Sequence, residues 1–295
     1  DTLRIIRAVR ISAELGFAIE KGTLEALKTH ALLLKHIAKE RIRDEFIRIL
    51  MSNEPMNALI LCRELGVLPF IAPELEEGIG IEQNKAHAYN VWEHLLHTVQ
   101  HSADKKYPLE IRLAALFHDI GKPKTRRFSR ETNQYTFYGH EVVGARITEK
   151  VLKNLAFPAK TTENVVKLVR WHMFFSDTEQ ITLSAVRRMV ANVGKDLIWN
   201  LMDVRICDRI GMGRPKENPY RLRKYKAMVE EALRDPVSVG MLKIDGGKII
   251  EIAKLEPGPK IGFILHALLE EVLEDPKLNT AEYLEGRAGE LSKLP

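Results

Sequence analysis

The sequence predicts an all-α protein, and three observations carry that prediction. Apolar residues recur at three- and four-residue intervals along nearly the whole chain, and period-two alternation bounded by turn residues is scarce. The breaks between periodic stretches fall at glycine, proline and asparagine, where helices end. No low-complexity tract or internal repeat stands out, which argues against a solenoid. With 295 residues, 45% of them hydrophobic, the chain is long enough to bury two or three modest cores.

Residues 1–75 read as a small helical module with helices near 2–16, 22–31, 38–52 and 54–66, broken at Gly16, Gly22 and Asn53 to Pro55. Residues 68–86, LPFIAPELEEGIGIEQNKA, hold two prolines and two glycines without a sustained period and are read as a boundary. Longer, histidine-rich helices fill 87–232 and end in the basic stretch RPKENPYRLRKYK. Residues 233–295 form a helical tail, in which Pro257-Gly258-Pro259 separates two amphipathic helices.

Composition narrows the function classes. Lys and Arg outnumber Asp and Glu by 45 to 40, a balance that suits a polyanionic partner. Cys62 and Cys207 lie far apart, so neither a disulfide framework nor a CxxC metal site is available, and a reducing cytoplasm is the expected compartment. No apolar run approaches the roughly 20 residues of a bilayer span. The absence of an initiator Met and the start inside a helix suggest a fragment.

The strongest chemical signal is the pair His118-Asp119 in LAALFHDIGKPKT. An HD dipeptide alone is weak, since it also fits a surface pair or a cap. Its company raises it: His94 in VWEHLLH, His140 in YGHEVVGA, His172 in VRWHM and Asp208 in VRICDRIG each fall on a separate predicted helix. Imidazole and carboxylate are the ligand types that hold divalent ions, and helices can bring them together in a bundle core. His97, three residues after His94, stays open as an alternative on the same face, whereas His87, His101 and His266 lack matching contexts. Lys122, Lys124, Arg126 and Arg127 follow the HD pair. Lys122 is the one expected to act at a phosphate; an ordinary solvated basic loop is the favoured reading for Arg126 and Arg127.

The order H, HD, H, H, D over residues 87–212 resembles the HD superfamily of metal-dependent phosphohydrolases. The resemblance implies a first metal site of His94, His118, Asp119 and Asp208, with Asp119 bridging to a second ion held by His140 and His172. Mg, Mn, Fe, Ni, Co and Zn all suit such ligands. A phosphomonoester or 2′,3′-cyclic phosphate is the implied substrate class, with His118, Asp119 and Lys122 as the catalytic residues.

Asp1, Arg4, Arg7 and Arg10 recur at intervals of three, which by spacing alone fits a charged helix face opposite Leu3, Ile6, Val9 and Leu15. The stretch DTLRIIRAVRISAELGF nevertheless resembles the neck helix of tRNA nucleotidyltransferases and bacterial poly(A) polymerases, entered inside the motif because the preceding acidic residue is absent. AKERIRDEFIRIL at 38–50 resembles the same neck, with Ile42, Phe46, Ile49 and Leu50 as its core face. LKIDGGKIIEIAKLEPGPKIGFILHALLEEVLEDP resembles the segment that follows HD domains in this family. The resemblance implies that Asp1 and Arg4 present donors and acceptors to CTP or ATP, with Arg7 and Arg10 reaching the triphosphate or orienting the pair. It also implies that a tRNA or other RNA 3′ end is the partner, touched by Lys124, Arg126, Arg127, Lys243, Lys248, Lys254 and Lys260. For each tail lysine, a solvated position on a packing helix is an equal reading. A Gly-Ser turn followed by DxD, which nucleotide addition in the family needs, is not found in this sequence, so the chain by itself is expected not to add nucleotides. Two other readings stay open: a catalytically silent HD fold that serves as a tRNA-binding scaffold, and a free-standing nucleotide phosphohydrolase.

Overall fold

The computed structural model describes residues 2–83, 88–174, 180–214 and 216–294, and it is helical as the periodicity predicts. In chain order the helices are α1 (Arg4–Leu15), α2 (Lys21–His30), α3 (Lys39–Met51), α4 (Pro55–Glu64), α5 (Leu68–Ile71), α6 (Val91–Asp104), α7 (Leu109–Phe117), α8 (Lys122–Thr125), α9 (His140–Asn154), α10 (Ala159–Trp171), α11 (Leu183–Val193), α12 (Ile198–Gly211), α13 (Tyr220–Ala232), α14 (Gly246–Ala253), α15 (Pro259–Glu274) and α16 (Ala281–Leu291). Among the described residues the only sheet is a hairpin of β1 (Arg127–Ser129) and β2 (Gln134–Thr136), antiparallel, with Phe128 opposite Tyr135. Strands of three residues are too short to leave a period in the sequence, so the helical reading passed over them.

The chain divides into two compact units, Asp1–Met173 with Trp199–Glu217, and Phe174–Ile198 with Asn218–Pro295. In the first, α1 lies on α3 and α4, burying Ile5, Ile6, Val9 and Ala13 on one stripe against Ile42, Phe46, Ile49 and Leu50 of α3. Those four α3 residues are the core face the spacing predicts. Arg112 of α7 ties this module to the helices that follow. Its Nε donates to the Tyr107 carbonyl at 2.8 Å, and its buried Nη1 donates to the carbonyls of Leu50 at 2.7 Å and Ser52 at 2.9 Å. Those last two are carbonyls that the end of α3 leaves unpaired.

Around the predicted ligands, α6 packs on α7, α7 on α10, and α10 on α9. Asn90 starts α6 with a capping box: its side chain accepts from the Glu93 amide while Glu93 accepts from the Asn90 amide, which fixes the turn carrying His94. Two glycines permit close approach. A Cβ at Gly121 would overlap the His140 carbonyl and sit 2.6 Å from the Gly144 nitrogen, so the turn after the HD pair can lie flat on α9 only as glycine. A Cβ at Gly211 would overlap Thr98 Oγ1 and come within 3.1 Å of the His94 carbonyl; its absence lets α12 press against α6.

In the second unit α11 packs on α13 and α15, and α14 on α15 and α16. Asp245 caps α14 by accepting from the Lys248 amide, and Pro259 opens α15 at a first-turn position that tolerates a missing N–H. No helix among the described residues is long and apolar enough to cross a membrane.

Candidate metal centre

Six polar side chains meet in the first unit: His94 from the first turn of α6, His118 at the C-cap of α7, Asp119 in the turn beyond it, His140 at the first position of α9, His172 at the C-cap of α10, and Asp208 from α12. All six are buried. They form two triads, His94–His118–Asp208 and Asp119–His140–His172, the candidate ligand atoms of each lying within 4.8 Å of one another. Asp119 joins them. Its Oδ2 is 3.2 Å from His94 Nε2 and 3.3 Å from His118 Nε2, while its Oδ1 is 3.1 Å from His140 Nε2 and 3.5 Å from His172 Nε2. Asp208 Oδ1 closes the first triad at 3.3 Å from His94 and 3.6 Å from His118.

The rings are aimed by a repeated device. His118 Nδ1 donates to the Ala115 carbonyl at 2.9 Å, His140 Nδ1 to Phe137 at 2.7 Å, and His172 Nδ1 to Val169 at 2.7 Å, in each case three residues back. With Nδ1 committed to a carbonyl, Nε2 is the nitrogen turned inward, and this is the tautomer a metal ligand needs. His94 Nε2 and His118 Nε2 approach to 2.9 Å, and His140 and His172 Nε2 to 3.3 Å. Nitrogens and carboxylate oxygens crowded this closely leave each triad open to a cation as its common partner, so the residues fit one or two divalent ions.

Electrostatics agree. Burial works against the imidazolium of His118, but Asp119 and Asp208 outweigh it and lift its pKa to about 10. Burial pushes His172 down to about 4, with His118 and His140 adding to the effect. Burial would raise both carboxylates, yet Lys122 and His118 hold Asp119 well below the usual range, and Arg205 and His118 do the same for Asp208. Lys122 Nζ lies 2.5 Å from Asp119 Oδ2 and donates to Gln83 Oε1 at 2.6 Å. Arg205 Nη1 donates to Asp208 Oδ2 at 2.5 Å.

The other predicted residues lie elsewhere. His97 stacks on Tyr89 with ring centroids 4.1 Å apart. Lys124 is exposed and 3.5 Å from Glu77, Arg126 lies 3.6 Å over the Tyr135 ring, and Arg127 is exposed on β1. Asp1 and His87 fall outside the described residues. Arg4 is exposed on α1, whereas Arg7 and Arg10 turn to α3, pairing with Glu45 at 2.8 and 2.7 Å; Arg10 also pairs with Glu14. In the second unit Lys243 and Lys254 are exposed, Lys248 reaches Glu251 at 3.1 Å, and Lys260 donates to the Leu294 carbonyl. Gln83 and Arg205 were not foreseen. Arg205 could have been, since three residues before Asp208 on one helix is a neighbouring position.

The same two segments are matched by family descriptions. Residues 16–79 match the probable RNA and SrmB-binding site of polymerase A, and residues 86–213 match the HD domain. A CC-adding tRNA nucleotidyltransferase of Thermus thermophilus is 38% identical over 282 residues, covering 93% of this chain and 63% of the relative. The chain is thus similar to tRNA nucleotidyltransferases over their RNA-binding and HD segments. A second relative, the A-adding tRNA nucleotidyltransferase of Deinococcus radiodurans, is 29% identical over 280 residues, covering 92% of this chain and 64% of the relative. The fold is shared with a Bacillus stearothermophilus CCA-adding enzyme solved with CTP, at 21% identity and a TM-score of 0.64 over 98% of this chain and 61% of that one. The chain thus spans somewhat under two thirds of the length of the curated relatives it matches.

Proposed function

We propose that this chain is the RNA-handling and phosphohydrolase portion of a tRNA nucleotidyltransferase that adds CCA or A, serving 3′-end maturation and repair in the cytoplasm. Its HD domain hydrolyses the phosphates of RNA ends with one or two divalent ions, opening 2′,3′-cyclic phosphates to monoesters or releasing terminal phosphates. The observation that supports this reading is the pair of buried triads bridged by Asp119. When bound, a divalent ion there acts as a Lewis acid toward a phosphoryl oxygen and acidifies its water.

The chain's own residues do the rest. His94, His118 and Asp208 hold one position, and His140 and His172 the other, with Asp119 offering an oxygen to each. Lys122, steered by Asp119 and Gln83, places a cation beside the phosphate, where charge grows as the ester bond breaks. The Nδ1 bonds to backbone keep the imidazoles from turning during the reaction. Outside the HD site, Asp1 and Arg4 serve nucleotide recognition, Arg7 and Arg10 hold the helix that presents them through their pairs with Glu45, and Lys124, Arg126, Arg127, Lys243, Lys248 and Lys260 serve RNA backbone contact.

The test is direct. The chain is loaded with Mn²⁺ or Ni²⁺, its metal content is measured, and it is incubated with an RNA ending in a 2′,3′-cyclic phosphate. Ring opening is expected in the wild type and a loss of about a hundredfold or more in His118→Ala and Asp119→Ala. A metal-loaded wild type that leaves the ends intact, while binding tRNA insensitively to chelator, would make the HD fold a scaffold.

A further inference from the structure

Asp119, His140, His172 and Asp208 of the cluster give a charged floor to a cavity of ≈ 530 Å³ whose wall includes Tyr135, Phe137 and Tyr138 of the hairpin arm and Met173. A phosphate needs only the charged floor. The volume lies in the range of sites for whole small molecules, about 300–1,000 Å³, so most of the space is left for whatever carries the phosphate. The wall suits a flat apolar group: Tyr138 is 88% exposed and Met173 56% exposed beside buried ligands. It is also braced. Arg126 stacks on Tyr135 at 3.6 Å, Phe128 meets Tyr135 edge-on at 5.4 Å, and Phe137 is buried under Lys122. The hairpin leaves the chain between α8, which carries Lys122, and α9, which carries His140, so two residues of the site flank it in sequence. Arg205, which donates from Nη1 to Asp208, also lines this cavity, and its guanidinium carries further N–H donors.

We propose that the hairpin wall, Tyr138 foremost, seats the base of the nucleotide whose phosphate lies on the floor, and that Arg205 grips that phosphate while holding Asp208. The site then selects a nucleoside-borne phosphate over a bare phosphate ester. This rests on the phosphohydrolase reading of the floor, and the two are separable by experiment. In the metal-loaded chain, calorimetry compares a non-cleavable phosphonate analogue of adenosine 3′-monophosphate with methylphosphonate. The nucleoside ligand binds the wild type at least about tenfold more tightly, the scale of one base stacked on an aromatic ring. Tyr138→Ala closes most of that gap, Tyr138→Phe keeps it, and Arg205→Gln weakens both ligands. Equal affinities in the wild type, or a gap untouched by Tyr138→Ala, overturn the wall. Unchanged methylphosphonate binding in Arg205→Gln removes Arg205 from it. A gap without cyclic-phosphate hydrolysis leaves the wall standing and removes hydrolysis; hydrolysis without a gap does the reverse.

Discussion

Asp119→Asn tests the centre most sharply, because one carboxylate faces both triads. Its two oxygens stand 3.1–3.5 Å from four imidazole nitrogens, so the amide replaces one anionic ligand atom by a donor and removes the charge shared between the positions. Loss of an outer-shell partner costs about 10–100-fold in metal affinity, and loss of a direct ligand costs at least the upper figure, about 100-fold. At free metal one hundred times the wild-type Kd, binding stabilises the native state by about 2.7 kcal/mol; after a hundredfold loss the gain falls to about 0.4 kcal/mol. For a chain of this size each kcal/mol moves Tm by roughly 2–4 °C, so the metal-induced rise is about 5–11 °C in the wild type and about 1 °C in the variant. Differential scanning calorimetry with and without Mn²⁺ reads both. The metal-free variant also melts lower, because Lys122 loses the anion 2.5 Å from its Nζ, a break costing about 3–5 kcal/mol when buried. Only the metal-induced difference reports ligation. A full wild-type rise in Asp119→Asn would refute the bridging role.

Arg112→Ala strands the buried carbonyls of Leu50 and Ser52 and loses the packing of its stem, so urea titration should show about 2–4 kcal/mol of lost stability. Cys62 and Cys207 are buried, and burial pushes the Cys62 thiol up to about 12 and Cys207 higher still; a disulfide reagent at pH 8 should label neither until the chain is unfolded, and rapid native labelling would contradict the packing. In the metal-free chain, His172 near 4 binds its proton later than the unfolded chain does, so stability falls as pH drops from about 6.5 toward 4. His118 near 10 acts oppositely: its contribution is full below about 6.5 and is lost as pH rises through 10. Chelated protein should therefore melt highest near pH 6.5, and a flat profile would mean that these two rings are not held as described.

What was legible in the sequence was whatever local chemistry writes there. The six residues that meet in the candidate centre were singled out from residue type and order, and the α3 core face from its spacing, since both signals are local in the chain. Tertiary pairing left less trace. Glu45 receives Arg7 and Arg10 from 35 or more positions away, and nothing in a three-residue arginine interval names an acid on another helix. The hairpin was missed because three-residue strands carry no measurable period, yet β2 and the residues just after it line the cavity. Gln83 was missed because an isolated glutamine in a boundary segment gives no sign that it holds a lysine 39 residues on.

The three Nδ1 bonds have a consequence for how this chain can vary. Each histidine is aimed by a main-chain oxygen three positions upstream, and every amino acid supplies that oxygen. Mutational drift at Ala115, Phe137 or Val169 can alter packing without turning the imidazole that depends on it. Because the three anchors are independent, replacing one ring leaves the other two pointing where they were.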